Sequence, residues 1–296
     1  MAAYRYDMSG NWYKGNTHIH STASDGEKTF AEIAALYATG GYDFLFRTDH
    51  WVTSTADAED NTAPLLWLDG IELDGDDDTG AYYHVVCLGT HAPITREMGF
   101  MAALESARAQ GCLRILAHPF WTGNTLEDAV RWSFDGVELY NNVCRYLNGK
   151  YDGMIHWGAM LRQQPATLAF AADDAHLWPD FMQWNGGWIV VNAPACTREA
   201  LLPAIRAGNF YSSRGPSFEV IAQQGNQLTL RTSPVVTMRV ISEGYRGLQA
   251  FGKDALLTEA SFTIPPEWPF AYVEIEDEAG NCAWTNTLLP PYGEAV

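Results

Sequence analysis

Two short pairs of metal-ligating residue types stand far apart in this sequence. His18 and His20 are separated by one residue, and Asp174 and His176 are separated in the same way. In an extended chain residues i and i+2 point to the same side, so each pair can present two donor atoms to one point. Nitrogen and oxygen donors without thiolate suit zinc, manganese or iron. The pairs therefore predict a metal centre, and hydrolysis is the chemistry expected of it.

Further residues of ligand type lie in or just beyond short apolar segments that are typical of strands. They are Asp25, His50, Glu72, His84 and His118. The alternative for each histidine is a hydrogen-bonded side chain at the rim of a sheet, and for any one histidine alone that alternative is favoured. It is weak for the whole set, because chance rarely places so many imidazoles at strand ends. His91 is expected at the surface, and His156 in a structural role.

The segments that must position these residues alternate between strand and helix through about residue 208. Strands are predicted at 13–21, 42–48, 65–73, 82–88, 113–117, 136–140, 167–172 and 187–192. Helices are predicted at 29–39, with Thr29 as a candidate N-cap, and at 95–110, 125–132, 153–164 and 197–207. Such alternation favours a parallel sheet or barrel, whose reactive residues gather at the carboxyl ends of the strands.

The pattern changes after Pro216. Strands are predicted at 218–222, 227–232, 237–242, 261–264 and 271–277, with one helix-like interruption at 254–260. Residues 216–296 are therefore interpreted as a small antiparallel β domain. The acidic stretch 74–78 is interpreted as a solvated loop.

Composition narrows the class of protein. The chain has 296 residues, of which 47% are hydrophobic and 18% charged, so a sizeable core is expected. The formal net charge of −18 disfavours duplex nucleic acid as a partner. The five widely spaced cysteines are interpreted as reduced. No signal segment or membrane-spanning apolar run is recognised, so the cytoplasm is the expected location and no membrane partner is expected. The oligomeric state is left open.

The combination of motifs resembles the PHP superfamily, the polymerase and histidinol phosphatase domains, over residues 12–215. The matching motifs are Asn16-Thr17-His18-Ile19-His20-Ser21, Ser24-Asp25-Gly26, Phe46-Arg47-Thr48-Asp49-His50, Gly70-Ile71-Glu72, His84, Ala117-His118-Pro119 and Asp174-Ala175-His176. The motif order and the trailing β domain, with its Ala283-Trp284-Thr285-Asn286, are similar to the branch that includes carbaryl-hydrolase-like metallohydrolases. One departure is Ala172-Asp173, which replaces the usual Gly-Ser before the D-x-H pair.

The resemblance implies an α/β fold: a distorted seven-stranded (β/α) barrel of PHP type over residues 1–215, followed by a small antiparallel β-sandwich domain over 216–296. It also implies two or three divalent metal ions, zinc, manganese or iron. The implied ligands are His18, His20, Glu72 and Asp174 for the first ion, Asp25, His50 and His176 for the second, and Glu72, His84 and His118 for the third, with Glu72 bridging. Asp25 stands where some relatives have histidine, so the second site is expected to prefer manganese or iron.

Other polar residues near strand ends extend the prediction. Glu138 either supports the metals or substrate from beside them or forms a hydrogen bond to a neighbouring strand or loop. Arg214 either clamps an anionic substrate group or forms a salt bridge at the domain junction. The expected catalytic residues are Glu72, Asp174 and Glu138, and the expected substrate contacts are Arg214 and Asn141.

Three functions remain open on the sequence alone. The first is a phosphoesterase that cleaves a small anionic phosphate ester with a metal-bridging hydroxide, whose pKa the metals lower. The second uses the same centre on a carbamate, ester or amide. The third is a metal-stabilised binding module without catalysis.

Overall fold

Strands and helices alternate up to residue 213, and strands alone follow. A computed structural model describes residues 5–53, 65–90, 92–180 and 183–288. The strands are β1 (Asn11–Asn16), β2 (Phe44–Arg47), β3 (Leu66–Asp76), β4 (Tyr82–Leu88), β5 (Leu113–Leu116), β6 (Gly136–Asn141), β7 (Leu168–Ala172), β8 (Trp188–Ala193), β9 (Phe210–Ser213), β10 (Phe218–Gln224), β11 (Gln227–Val235), β12 (Thr237–Ile241), β13 (Gly247–Phe251), β14 (Leu257–Thr263), β15 (Tyr272–Glu276) and β16 (Cys282–Thr285). The helices are α1 (Phe30–Thr39), α2 (Phe100–Ala109), α3 (Pro119–Thr122), α4 (Leu126–Arg131), α5 (Asn142–Leu147), α6 (Met154–Gln163) and α7 (Arg198–Ala207), with a 3-10 turn at Arg96–Met98.

Strands β1 to β7 lie side by side in chain order. The β1–β2, β2–β3, β5–β6 and β6–β7 pairs are parallel, whereas β4 runs antiparallel to both of its neighbours. Beyond the ends of β1 and β7, Ile19 pairs with Ala175 in parallel. The His20 N–H donates to the Ala175 carbonyl (3.0 Å), and the Asp174 N–H donates to the His18 carbonyl (2.9 Å). The first and the last of these strands therefore bring their following segments together.

The other edge of β1 extends the same sheet in antiparallel fashion through β8, β9, β16, β15, β12 and β13. A separate antiparallel sheet contains β10, β11 and β14. Apolar side chains of this sheet, such as Phe218 and Leu230, share one core with Val240 and Ile275 of the larger sheet. The predicted mixed α/β fold with antiparallel sheet towards the carboxyl terminus is confirmed at this level.

Local sequence explains how α1 is placed. The Thr29 side chain accepts a hydrogen bond from the Glu32 N–H, and the Glu32 carboxylate accepts from the Thr29 N–H. This capping box fixes the first turn of the helix. Ile33 and Tyr37 are fully buried on the inner face of α1, so the helix covers the sheet beside β2.

Several predicted boundaries differ from the structure. β1 ends at Asn16, so His18 and His20 lie beyond the regular strand. The prediction of a solvated loop at 74–78 is wrong in part, because β3 continues to Asp76 and Asp77 is buried against Arg131 and Trp132. The helix-like interruption at 254–260 is also wrong, because β14 begins at Leu257 and pairs with β11. Strands β9, β13 and β16 and the short helices α3 and α5 were not predicted.

Within the described part of the chain, no helix combines the length and the apolar character that crossing a membrane requires.

Candidate metal centre

The predicted ligands come together at one end of the β1–β7 sheet. His18, His20 and Asp25 follow β1, and His50 follows β2 and pairs with Glu72 of β3. His84 lies in β4, His118 follows β5, and Asp174 and His176 follow β7. Their donor atoms form overlapping groups within 4.8 Å: His20, Asp25, His50 and His176; His18, Glu72 and His118; His18, His20 and Asp174; and His50, Glu72 and His84.

Glu72 stands at the centre of these groups. Its Oε2 lies 3.0 Å from His18 Nε2, 3.1 Å from His20 Nε2 and 3.3 Å from His50 Nε2. Its Oε1 lies 2.8 Å from His84 Nδ1 and 3.5 Å from His118 Nε2. One carboxylate therefore faces five imidazoles with two oxygens, as a bridging ligand would.

The His18 ring shows that a cation or proton must lie between these groups. Its Nδ1 lies 2.7 Å from Glu138 Oε1, and the N–H of the ring is placed there because the carboxylate can only accept. The Nε2 of the neutral ring then carries a lone pair, yet it lies 3.0 Å from Glu72 Oε2 and 3.3 Å from Asp174 Oδ1. Three lone pairs that face one another repel unless a positive centre binds them all.

The distances between ligand atoms fit a divalent metal ion. Bonds of about 2.0 Å in a tetrahedral site place neighbouring donor atoms about 3.3 Å apart. The Nε2 atoms of His18 and His20 lie 3.1 Å apart, and His20 Nε2 lies 3.1 Å from Asp174 Oδ1. The implied first ligand set is thus brought together with compatible spacing, and its donors are those that suit zinc, manganese or iron.

The implied second set gathers around Asp25, whose side chain is 51% exposed. Asp25 Oδ2 lies 3.2 Å from His176 Nε2 and 3.9 Å from His50 Nε2, and Oδ1 lies 3.3 Å from His20 Nδ1 without forming a hydrogen bond. In the implied third set the structure places His84 with His50 and Glu72, and His118 with His18 and Glu72. The His84 and His118 ring centres lie 4.9 Å apart.

The imidazole nitrogens that face away from the cluster are held in place. Besides the His18–Glu138 pair, His118 Nδ1 lies 3.1 Å from Thr122 Oγ1, and His176 Nδ1 donates to the Asp174 carbonyl at 3.0 Å. His50 Nδ1 lies 3.3 Å from Asp74 Oδ1, within ion-pair distance but without a hydrogen bond. Such contacts fix the tautomer and the orientation of a metal-binding histidine. They direct Nε2 of each of these rings into the cluster.

The charges of the cluster depend strongly on one another. Burial disfavours the charged form of His18, but Asp174, Glu72 and Glu138 outweigh it and raise the pKa of His18 well above its ordinary value. Burial would raise the pKa of Glu72, but the surrounding imidazoles, His18 first, hold it well below the ordinary value. The pKa of Asp174 is lowered for the same reason. Positive charge is therefore stabilised among these carboxylates.

The remaining predicted residues take different positions. Glu138 is buried and also accepts from the His118 N–H (3.0 Å) and from Asn141 Nδ2 (2.8 Å). The Asn141 amide also donates to Asp174 Oδ2 (3.1 Å), and its oxygen accepts from the Cys144 N–H. Arg214 is not brought to the ligands: its guanidinium lies over the Tyr140 ring, 4.3 Å from the ring centre, and it lines neither part of the cleft described below.

Three further residues, Asp173, His156 and His91, are not among the predicted ligands. Asp173 points away from the ligands, since its carboxylate accepts from Asn16, Tyr37 and the N–H groups of residues 185–187. His156 donates to the Asn124 carbonyl, as a structural histidine would. His91, predicted at the surface, lies outside the described residues.

Sequence reasoning missed Asp74 and the residues that it holds. Asp74 Oδ1 accepts from Trp51 Nε1 (2.7 Å) and from Arg96 Nη2 (3.1 Å) and lies beside His50. A signal was present, because Asp74 follows Glu72 at i+2 on one strand and so shares its face. Asp74 was not recognised because the acidic residues that follow it led to the interpretation of 74–78 as a solvated loop.

The backbone is strained where it carries the ligands. Among the described residues with positive φ other than glycine are Trp51 (57°), His118 (26°), Asp174 (54°) and Leu177 (56°). Each of these is a predicted ligand or directly follows one. Such conformations cost about 1–3 kcal/mol each and gather at functional sites, where the surrounding structure enforces them.

A cleft opens onto the cluster. One part is a cavity of about 220 Å³, whose non-ligand lining residues are Trp121, Val143, Cys144, Leu147 and Trp178. The adjoining part is more open and is lined, besides ligands, by Ser24, Asp74, Tyr82 and Arg96. The ligands lie between an apolar and a polar region, so a small molecule can reach them.

Comparison with known proteins rests on structure alone. No protein-family model and no curated protein matches the chain. A solved structure of a two-domain protein from Bacteroides vulgatus, containing a predicted PHP-like metal-dependent phosphoesterase, superposes with a TM-score of 0.56 at 15% identity and covers 96% of both chains.

Two other solved structures align less well. A candidate metal-dependent phosphoesterase from Bifidobacterium adolescentis gives a TM-score of 0.42 at 15% identity, over 57% of this chain and 90% of that one. An amidohydrolase from Chromobacterium violaceum, with bound sulfate and no metal, gives 0.24 at 21% identity, over 57% of each chain. The fold-level resemblance rests on the Bacteroides vulgatus structure alone, and at that level the prediction is confirmed: this chain has the fold of that protein.

Proposed function

We propose that the protein is a metal-dependent hydrolase that cleaves small phosphate esters. The observation that carries the proposal is the convergence of imidazole and carboxylate lone pairs on shared points, with Glu72 between five imidazoles. A purely structural cluster would not need ligands that border an open cleft. The Bacteroides vulgatus protein with the same fold contains a predicted PHP-like metal-dependent phosphoesterase, which supports this reaction class.

We also propose the finer architecture. Residues 1–215 form the distorted seven-stranded PHP-type barrel, and 216–296 form the β-sandwich domain. The chain-order arrangement of β1 to β7 and the Ile19–Ala175 pairing beyond their ends support a closed barrel. The proposed ligands are the nine predicted residues, for two or three ions of zinc, manganese or iron. Bound at this place, such ions would lower the pKa of a water molecule and neutralise charge on phosphoryl oxygens.

The side chains of this protein have separate roles in the proposed reaction. Hydrolysis transfers a water oxygen to phosphorus, breaks the bond from phosphorus to the ester oxygen, and passes one proton to the departing alcohol. Glu72 and Asp174 touch the reacting region and hold positive charge there. Glu138 and Asn141 do not border the cleft, so we assign them to positioning His18, His118 and Asp174. Arg96, at the polar end of the cleft, is the proposed contact for an anionic substrate in place of Arg214.

A second candidate is hydrolysis of a carbamate, ester or amide. The apolar part of the cleft favours this reaction, because its aromatic and aliphatic side chains can pack against an uncharged substrate. The ligand arrangement serves both reactions, since each begins with attack of water on an electrophilic centre beside the metals.

The test is a matched set of initial rates on protein loaded with manganese or zinc. The substrates are an aryl phosphomonoester, an aryl phosphodiester and an aryl carbamate with the same leaving group. The variant His20→Ala removes a ligand, and His156→Gln changes a histidine outside the cluster. We expect turnover of a phosphate ester that is abolished in His20→Ala and kept in His156→Gln. Carbamate turnover alone would select the second candidate, and no turnover by metal-loaded protein would favour a binding module.

A further inference from the structure

The apolar side of the cleft is built from side chains that the proposed chemistry leaves unused. We call Trp121, Val143, Cys144, Leu147 and Trp178 the apolar wall. These residues come from α3, from α5 and from the segment after β7, the same parts of the chain that follow or flank His118 and His176. The apolar wall and the predicted ligands line one cavity of about 220 Å³. A group bound to the wall would therefore be attached directly to the reacting centre.

Two indole rings of the wall pack on imidazoles of the cluster. Trp121 meets His118 edge-on, with ring centres 5.1 Å apart and planes at 80°, and meets His84 in the same manner at 5.7 Å. Trp178 stacks on His176 with ring centres 4.7 Å apart and planes at 28°. Trp121 thus borders the Glu72 side of the cluster and Trp178 borders the Asp25 side. Their rings flank a space that begins at the ligands.

The chemistry of the wall selects an uncharged occupant. Within the described ranges, no lysine or arginine lines this cavity, and its acidic lining residues are all predicted ligands. The cation of the cleft, Arg96, belongs to the adjoining polar part. A second phosphate or a carboxylate on the substrate would have no partner at the wall. An aromatic ring would stack or pack edge-on against the indoles and bury its apolar surface.

We propose that the apolar wall is a substrate subsite that binds an uncharged aromatic group bonded to the scissile ester oxygen, with Trp121 and Trp178 as the residues that determine this specificity. The proposal rests on the proposed function, since it names the substrate class of that site. An aromatic group held there would be fixed by packing, whereas a small alkyl group would leave most of the cavity to water.

The first experiment measures binding without turnover. Zinc-loaded protein labelled with 5-fluorotryptophan is titrated with benzylphosphonate and, as a matched smaller anion, with methylphosphonate, neither of which has an ester bond to cleave. The protein has eleven tryptophans, and the variants Trp121→Phe and Trp178→Phe identify the fluorine resonances of these two residues. We expect benzylphosphonate to shift both resonances and to bind on the order of tenfold more tightly than methylphosphonate. Equal affinity, or resonances that do not move, would overturn the proposal.

Variants separate the wall from the general stability of the fold. Trp121→Ala should remove most of the preference for benzylphosphonate. Leu147 is 46% exposed, so Leu147→Asn should fold and replace an apolar side chain of the wall by a polar, uncharged one that does not repel the phosphonate group of either probe. It should weaken the binding of benzylphosphonate but not that of methylphosphonate. Ile155→Asn, at a side chain of α6 that is 71% exposed and does not line this cavity, is the control and should change neither affinity. A loss that is equal for both phosphonates in Leu147→Asn would contradict the proposal.

Rates distinguish the failure of this proposal from the failure of the proposed function. Phenyl and hexafluoroisopropyl phosphodiesters have leaving groups of similar acidity but differ in aromatic character. Turnover of both at equal kcat/KM would keep the phosphoesterase and reject the aromatic subsite. Selective binding of benzylphosphonate without turnover of any phosphate ester would keep the subsite and reject the phosphoesterase.

Discussion

Glu138 and Glu72 bind opposite nitrogens of one imidazole. Glu138 Oε1 lies 2.7 Å from His18 Nδ1, and Glu72 Oε2 lies 3.0 Å from His18 Nε2. The Glu138 carboxylate fixes the orientation of the ring, and the Glu72 carboxylate lies on the side of the ring that faces the cluster. The two acids therefore have different roles although both are buried, and substitution separates them.

Replacement of Glu138 by glutamine tests the positioning role. Glu138 accepts hydrogen bonds from His18, from the His118 N–H and from Asn141. Glutamine has the same shape but replaces one carboxylate oxygen by an NH₂ group, so at least one of these donors loses its acceptor. We expect metal affinity to fall about 10–100-fold, measured by competition with a chelator. The control Glu127→Gln, at a side chain that is 85% exposed, should keep the affinity, and an unchanged affinity in Glu138→Gln would contradict the assigned role.

Gly26→Ala tests whether the residue that follows Asp25 must be a glycine. A Cβ at Gly26 would lie 2.3 Å from the His20 carbonyl oxygen, so the segment that carries His20 or the one that carries Asp25 must move. We expect loss of metal from the Asp25 group although every ligand is kept, read as metal content after dialysis. A Cβ at Gly158 in α6 would meet nothing within 4 Å, so Gly158→Ala should keep its metal and gain about 0.5–1 kcal/mol of unfolding free energy. Equal metal content in the two variants would show that the close approach at Gly26 has no consequence.

Asp74→Asn tests the support of His50. Asp74 lies 3.3 Å from His50 Nδ1 and accepts from Trp51 and Arg96. The amide keeps the size of the side chain but loses the charge that orients His50 and pairs with Arg96. We expect metal affinity to fall by about tenfold or more, measured by calorimetric titration. Asp76→Asn, at the exposed end of the same strand, is the matched control, and equal affinities for the two variants would refute the role of Asp74.

Lys14 should make stability depend on pH. Burial lowers the pKa of Lys14 to about 8 from 10.5, against the attraction of Asp173 and Asp43. The ammonium donates to the Gly40 carbonyl and to Asn185 Oδ1, over the rings of Tyr42 and Trp188. Between these two pKa values the unfolded chain binds more protons than the folded chain, so a rise in pH favours folding. Below pH 8 both states carry the charge, and the cost of its burial is present in full.

The measurement is urea unfolding of the wild type and of Lys14→Met on both sides of pH 8. We expect the unfolding free energy of the wild type to increase relative to that of Lys14→Met as the pH rises from about 8 towards 10.5. The difference between the two proteins cancels the titration of the other groups. A difference that stays constant over this range would show that Lys14 titrates normally in the folded protein.

The structure brings the nine predicted ligands together, whereas the contacts that orient them could not be predicted from the sequence. The i, i+2 pairs and the strand-end positions depend on local geometry, which the chain itself reveals, and the structure brings these residues together. Glu138 was left with two alternatives, because whether it reaches His18 depends on the order of strands between β1 and β6. Asp74 was hidden in an acidic run, and Arg214 was placed at the site although its guanidinium lies over Tyr140. In each of these three cases the partner of the side chain lies far away in the sequence, so local patterns do not reveal it.

The same limit applies to the carboxyl-terminal strands. The interruption at 254–260 has a composition compatible with a helix, but β14 is fixed by hydrogen bonds to β11. β16 is only a short strand, and it is held in place by hydrogen bonds to β15 on one side and to β9 on the other. Pairing with distant segments thus decided the structure where local preference was weak.

The contact between the segments after β1 and β7 has a consequence for biosynthesis. Asp25 and His176 lie 151 positions apart in the chain. While the ribosome is still extending the chain, His18, His20 and Asp25 emerge long before Asp174 and His176, and the other predicted ligands emerge between them. A nascent chain therefore cannot complete the cluster until the segment that follows β7 has left the exit tunnel, so capture of metal in the final geometry is a late event in the making of this protein.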